Sequence, residues 1–339
     1  MTTVRVSAPG KLFLLGEYAV LEGAPALLVA AGQRAVVTAK TAPTWHLTAP
    51  GLGVGTITLG ADGSLPPGLE EDLSRQLTLF DSVRRRVDSH VDSPTGPQEL
   101  VVDSTAFRHD GNKLGLGSSA AVAVALTTAL ICARGDVRGR SLDRDTIFRL
   151  ANEAHRSAQG GSGSGGDVAA SVRGGVILYR RDHTPHVAAL PAGLGVFAVA
   201  TGSGSSTVEL VGQVAEYRRN RPEAYRRDLD ALSRLAESVT AALGSAAGVL
   251  ALMDEYFHAL VELAQHSGAE IVTERHRELR RLAAESGAVF KPSGAGGGDL
   301  GLVFGKLEDV DVLQSTFTEA GALVIPVPSD SDGVKVETS

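Results

Sequence analysis

Cysteine is nearly absent: the 339 residues contain one, Cys132. A single thiol excludes an intrachain disulfide and a zinc cluster, and fits a reducing compartment. It lies in an Ala/Val/Leu run and reads as a small buried hydrophobe. An excess of cations is missing too, since 32 Lys and Arg face 39 Asp and Glu for a net charge of −7. The Arg-rich stretches at 216–227 and 275–281 are interleaved with acidic and apolar residues, as on solvated helix faces, so nucleic acid is not an expected partner. The apolar run at 119–133 is shorter than the roughly 20 residues a membrane span needs. The opening "MTTVRVSAPGKLFLLGEYAVL" carries only Arg5 and Lys11 as cations and is broken by Pro9, Gly10 and Gly16, so no targeting segment is expected. These absences predict a cytoplasmic protein with no membrane partner. Neither G-x-x-x-x-G-K-[ST] nor a dinucleotide fingerprint with its trailing acidic residue occurs, and no repeat of fixed period is visible.

With 43% hydrophobic and 21% charged residues, the composition is that of a globular chain long enough for one large domain or two ordinary ones. Strand-like segments are expected at 3–8, ended by Pro9–Gly10, and at 26–40 around a turn at Gly32–Gln33. Short strands follow between 46 and 66 and at 99–104 and 174–180, with helices near 69–90, over the Ala/Val/Leu run and at 143–158. The second half predicts a strand at 195–201, helices near 207–219, 222–243, 246–266 and 268–286, then a strand, a helix at 307–320 and a strand at 321–326. The polar tail "SDSDGVKVETS" is expected to be loosely held. A β-rich part followed by a mainly helical part indicates an α+β fold. A connector near 185–193 sets the expected domains at 1–188 and 189–339.

Three glycine-rich segments carry the chemistry. In "KLGLGSSAAVAVALTTAL", Gly115, Gly117, Ser118 and Ser119 precede a buried helix. That pattern is either a tight strand-to-helix connection or a loop presenting free N–H groups to phosphate at the positive end of the helix dipole. In "GGSGSGGDVAAS", Asp167 is either an N-cap or a carboxylate that a substrate oxygen can approach, as phosphoryl transfer requires. In "KPSGAGGGDLGLVF", consecutive glycines allow a bulged turn or a loop wrapping a ligand with N–H groups. Lys11 and Lys113 lie beside glycines, where fixed cations would offset phosphate charge.

Together "APGKLFLLGEYAVL", "KLGLGSSAAV" and "KPSGAGGGDLG" resemble, in order and spacing, the three motifs of the GHMP kinases, from residue 4 to about residue 305. The resemblance implies a two-domain α+β fold, an N-terminal domain like domain 2 of ribosomal protein S5 and a ferredoxin-like C-terminal domain, with ATP and Mg²⁺ bound between them. Finer details resemble the phosphomevalonate kinases of that family. Lys113 directly precedes the second motif, Tyr18 stands where mevalonate kinases carry His, and "AQGGSGSGGDVA" and "TGSGSSTVELV" are similar to their segments. Carried over by position, Asp167 is the catalytic carboxylate and Lys11 a catalytic cation near the transferring group that also contacts substrate. Lys113 binds phosphate, of nucleotide or acceptor. Gly115, Leu116, Gly117, Ser118, Ser119 and Ala120 wrap the triphosphate, with Ser118 or Ser119 holding Mg²⁺. Glu17, Tyr18, Ser164, Ser205, Ser206 and Thr207 contact the acceptor, and Ser293, Gly294, Ala295, Gly296 and Gly297 close over the reacting phosphates. Gly166, where relatives often carry an aromatic, and Ala200, where they often carry Trp, alter the shape of the acceptor pocket. The implied reaction is ATP-dependent phosphorylation of mevalonate 5-phosphate to the 5-diphosphate. Three alternatives stand behind it: a mevalonate kinase, a diphosphomevalonate decarboxylase, which generally lacks the first motif, and a binding-only relative, which needs no acceptor-facing carboxylate.

Overall fold

The computed structural model describes residues 3–90, 96–133, 143–161, 163–181, 183–201, 207–298, 300–328 and 331–337. Its first half runs β1 (Thr3–Leu15), β2 (Ala26–Thr41), β3 (His46–Ala49), β4 (Val54–Thr58), α1 (Glu71–His90), β5 (Gln98–Asp103), β6 (Arg108–His109), β7 (Asn112–Lys113), α2 (Ser118–Cys132), α3 (Arg144–Ala158) and α4 (Gly166–Arg173). Next come β8 (Val176–Tyr179), β9 (His186–Ala188), β10 (Leu194–Ala200), α5 (Thr207–Asn220), α6 (Pro222–Glu237), α7 (Val239–Ala242), α8 (Ala246–Ser267) and α9 (Glu274–Glu285). The remainder is β11 (Val289–Pro292), β12 (Leu300–Lys306), α10 (Val310–Glu319), β13 (Leu323–Pro326) and β14 (Lys335–Glu337).

Two compact units result, and the division differs from the single boundary expected at 188/189. The first comprises residues 1–11, 30–175 and 330–339, the second 12–29 and 176–329. β1 and β2 are long enough to serve both units, which is why no single cut separates them.

In the first unit the sheet order is β14-β1-β2-β5-β3-β4, with β3 and β5 parallel. Along β2, Ala35, Val37 and Ala39 are buried and alternate with more exposed residues, the period of a strand with one covered face. Val37 and Ala39 pack with Leu100, Phe80, Val83, Val124, Leu126 and Ile147 in one core. α2 is apolar all round and correspondingly buried along most of its length. Three local expectations are corrected here. β1 continues through Pro9–Gly10: only Arg5–Ser7 pair with β14, so the missing N–H of Pro9 breaks no bond on that side. β2 passes Gly32 without a turn, taking β8 as its partner over Ala26–Val29 and β5 over Val36–Thr41. The polar tail is held. β14 pairs with β1, Val334 is buried, and the Arg34 guanidinium donates to Ser7 Oγ and to the carbonyls of Ser7, Asp332 and Gly333.

In the second unit an antiparallel sheet has the order β11-β12-β10-β13. With helices between β10 and β11 and α10 between β12 and β13, this is the β-α-β-β-α-β arrangement of a ferredoxin-like unit, its first crossover enlarged by extra helices. Phe197, Phe290, Val303, Leu279 and Phe317 form its core, Phe197 and Phe317 meeting edge to face at 5.6 Å. Helix α8 stops at Gly268, left-handed at φ 73°, so the helix expected from 268 starts instead at Glu274, capped by Thr273. That cap carries a pH dependence. Thr273 Oγ1 accepts from the His276 N–H and His276 Nδ1 from the Thr273 N–H, both at 3.2 Å. Burial, then Arg277, pushes the His276 imidazole down from 6.5 to about 4. The unfolded chain therefore takes up a proton that the folded one refuses, and stability falls as pH drops from 6.5 towards 4. At pH 5 the loss is about 2 kcal/mol relative to neutral pH. His276→Gln keeps a capping-box residue without the titration. Denaturant midpoints at pH 7 and 5 should show a smaller fall in the variant; equal falls would count against this account.

Candidate active site

In the first unit the glycines at 115 and 117 adopt φ of 71° and 78°, where only glycine is unstrained. Gly117 is the N-cap of α2, which places Ser118 and Ser119 in the first turn, where backbone N–H groups have no intrahelical partner. A Cβ on Gly117 would meet Lys11 Cε at 2.9 Å and Cγ at 3.1 Å, so the lysine stem lies along this glycine. A Cβ on Gly10 would strike the Leu116 carbonyl oxygen at 2.3 Å. The same oxygen accepts from the Lys11 N–H at 2.8 Å. The first motif is thus laid directly against the second. Leu116 and Ala120 are buried, so their side chains point into the core and only their backbone can meet a ligand. Lys113 is exposed on β7, in a hairpin turned by Asp110 and Gly111, both at positive φ.

Asp167 is not the N-cap of its helix. Gly165, at φ 84°, takes that place, and Asp167 lies in the first turn of α4. Its Oδ1 accepts from the Val168 N–H at 2.9 Å, and its Oδ2 is 3.7 Å from His155 Nδ1. Ser164 Oγ accepts from the Gly166 N–H at 3.2 Å, holding the loop that delivers the carboxylate. Helices α2, α3 and α4 pack on one another, which carries Lys11, Ser118, Ser119, His155 and Asp167 on one connected framework. Among the described residues no three or more His, Cys, Asp or Glu side chains gather as a metal site.

In the second unit the loop after β11 is built on a buried polar cluster. Lys291 Nζ, fully buried, donates to Glu17 Oε1 at 2.5 Å and to the Pro292 carbonyl at 2.6 Å. Desolvation pushes the Glu17 carboxyl up and the Lys291 ammonium down, each opposed by its partner. Ser293 Oγ donates to the Phe13 carbonyl and accepts from the Phe13 N–H. The Tyr18 hydroxyl donates to the Ala295 carbonyl at 2.6 Å, and Tyr256 donates to the Glu17 carbonyl at 2.8 Å. Tyr18 itself holds φ 61° and ψ −50°, a conformation costly for a residue with a Cβ. Gly294, Gly296 and Gly297 all have positive φ, and a Cβ on Gly296 would meet the Ile271 carbonyl oxygen at 2.2 Å.

These facts correct two expected acceptor contacts. Glu17 and Tyr18 are buried, with carboxylate and hydroxyl turned to Lys291 and Ala295, and they support the loop rather than face a substrate. Thr207 is the exposed first residue of α5, while Ser205 and Ser206 lie outside the described residues. Two residues were missed, His155 and Lys291. His155 had a signal: with Ile147 and Ala151 it forms an i, i+4, i+8 row on the buried face of α3, an apolar stripe that needs a reason to hold an imidazole.

The chain matches the family described as GHMP kinases N terminal domain over residues 84–175. It is 30% identical to the phosphomevalonate kinase of Streptomyces sp. (strain CL190), covering 98% of each chain. It is also 30% identical to the mevalonate kinase of Aeropyrum pernix, over 88% of each. The solved Streptococcus pneumoniae phosphomevalonate kinase in complex with phosphomevalonate and AMPPNP shares the fold, with a TM-score of 0.74 at 19% identity over 99% of this chain and 100% of that one.

Proposed function

This chain belongs to the GHMP kinase family, and we propose that it transfers the γ-phosphoryl group of ATP to the phosphate of mevalonate 5-phosphate, forming the 5-diphosphate. The observation that carries the proposal is the first-unit framework. It joins a helix N-terminus with free N–H groups, Lys11 lying along Gly117, and Asp167 in the first turn of a helix packed on the first. Phosphoryl transfer asks a protein mainly for positioning and for charge opposite the transferring group. Amides at Gly117–Ala120 cradle the triphosphate, and Lys11 offsets charge on the γ-phosphoryl group. Asp167 orients the attacking phosphate oxygen and accepts whatever proton it carries. A phosphate acceptor already has a low pKa, so a strong base is not needed.

A donor set of serine hydroxyls suits Mg²⁺, which takes oxygen ligands and reaches such sites largely through substrate phosphates and water. Ser118 and Ser119 would hold it, and it would supply positive charge to the β- and γ-phosphates. An acceptor bearing two further negative charges calls for an additional cation, and Lys113, exposed two residues before Gly115, supplies one. Mevalonate kinase is the second reading, favoured by the equal identity to the Aeropyrum pernix enzyme.

The test is ADP release with Mg-ATP and each of mevalonate, mevalonate 5-phosphate, homoserine and galactose. Turnover with mevalonate 5-phosphate alone is expected. Turnover with mevalonate instead would transfer the assignment to the second reading, and turnover with none would remove both.

A further inference from the structure

His155 has no part in the reaction as derived so far, yet it touches both ends of the site in the first unit. It is 2% exposed, and an imidazole buried on an apolar helix face must find partners for both nitrogens. Its Nε2 is 2.9 Å from Ser119 Oγ and 3.2 Å from Gln159 Nε2. An amide nitrogen only donates, so the ring nitrogen facing it accepts. The amide oxygen lies on the other side, where a Cβ on Gly163 would come within 3.1 Å of it. A neutral imidazole whose Nε2 accepts carries its proton on Nδ1, and Nδ1 is the atom 3.7 Å from Asp167 Oδ2. That separation exceeds a hydrogen bond, but it puts the Nδ1 end of the ring beside the carboxylate oxygen not used by Val168.

We propose that His155 is a positioning residue that ties the nucleotide-side hydroxyl of Ser119 to the acceptor-side carboxylate of Asp167 through one ring, with Nε2 accepting and the Nδ1–H on the Asp167 side. The inference rests on the phosphoryl-transfer reading of this site. The ring does two separable jobs. At Nε2 the ring lone pair is shared by the Gln159 N–H and the Ser119 O–H. This turns the Ser119 proton towards the ring and leaves that oxygen its lone pairs for a ligand, which suits a cation and not a phosphate oxygen. At Nδ1 it sets the rotation of the Asp167 carboxylate, whose other oxygen is pinned to the backbone of α4. Sequence neighbours do not explain the arrangement, since Ser119, His155 and Asp167 come from three different helices.

Amide side chains separate the two jobs, because an Asn nitrogen stands near the place of Nδ1 and the end of a Gln near that of Nε2. In His155→Gln the bond to Ser119 is retained and the dipole at Asp167 lost; kcat is expected to fall about tenfold with KM for ATP nearly unchanged. In His155→Asn the reverse is expected, KM for ATP rising about tenfold with kcat nearly kept. Equal losses in both parameters in both variants would mean a structural role only and would overturn the proposal. Nitrogen NMR of the histidine rings in the ligand-free wild type gives a readout independent of any acceptor, with the His155 signals assigned by their disappearance in His155→Phe. A proton on Nδ1 is expected. A proton on Nε2 overturns the inference even if mevalonate 5-phosphate proves to be the substrate, and Nδ1 protonation together with a Gln-against-Asn split in Mg-ATP affinity by calorimetry supports it even if another acceptor is found.

Discussion

Asp167→Asn is expected to lower kcat by about 10²- to 10⁴-fold while leaving Mg-ATP affinity nearly unchanged. The substitution keeps the size of the side chain and its carbonyl oxygen, so the bond from the Val168 N–H survives and the α4 turn is undisturbed. What it removes is one negatively charged oxygen, on the Oδ2 side that faces His155 and is not tied to the backbone. An acceptor oxygen then has no anionic partner to orient it or to take its proton. The α2 end and Lys11, proposed above to contact the nucleotide, are not touched by the change. The measurement is steady-state ADP release beside calorimetric titration of Mg-ATP. A variant that keeps more than about a tenth of wild-type kcat would show that Asp167 is not the acceptor-side carboxylate.

The second large effect is on stability. Lys291→Met is expected to destabilise the second unit by about 3–5 kcal/mol, because it leaves the Glu17 carboxylate buried without its cation. The pair is enclosed, with side-chain exposures of 0% for Lys291 and 2% for Glu17, so water cannot replace the lost partner. Lys291 is the foremost group favouring the charged form of Glu17, ahead of the backbone N–H groups of Glu17 and Gly294. The Pro292 carbonyl loses its donor in the same step. The double variant Glu17→Leu with Lys291→Met removes both charges and is expected to recover most of the loss, as buried pairs replaced together often cost little. Denaturant midpoints of the wild type, Lys291→Met, Glu17→Leu and the double variant close the cycle. If Lys291→Met alone stays within about 1 kcal/mol of wild type, the cluster does not support the loop as described.

Much of the site could be read from single segments, because the relevant physics is local. A glycine at positive φ before a run of small apolar residues marks a helix start, and Gly115, Gly117 and the first turn of α2 follow that logic. The apolar stripe of α3 and the alternation of β2 report which faces are covered without reporting by what.

Pairing across the chain could not be read, since ladder bonds and desolvation depend on neighbours that sequence distance conceals. Pro9 ends a strand by local rule but not when the ladder on one side has already stopped at Ser7. The tail reads as polar and loose until Arg34, some 300 residues away, spends its donors on Asp332 and Gly333. Glu17 and Lys291, 274 positions apart, each read as ordinary charged residues near a loop. Composition, periodicity and glycine placement therefore sufficed for the α+β class and for the glycine turns that open α2 and α4. Which charges are buried together, which strands are shared by two units, and which imidazole stands between Ser119 and Asp167 came from the folded chain alone, because burial is a property of packing and not of any one segment.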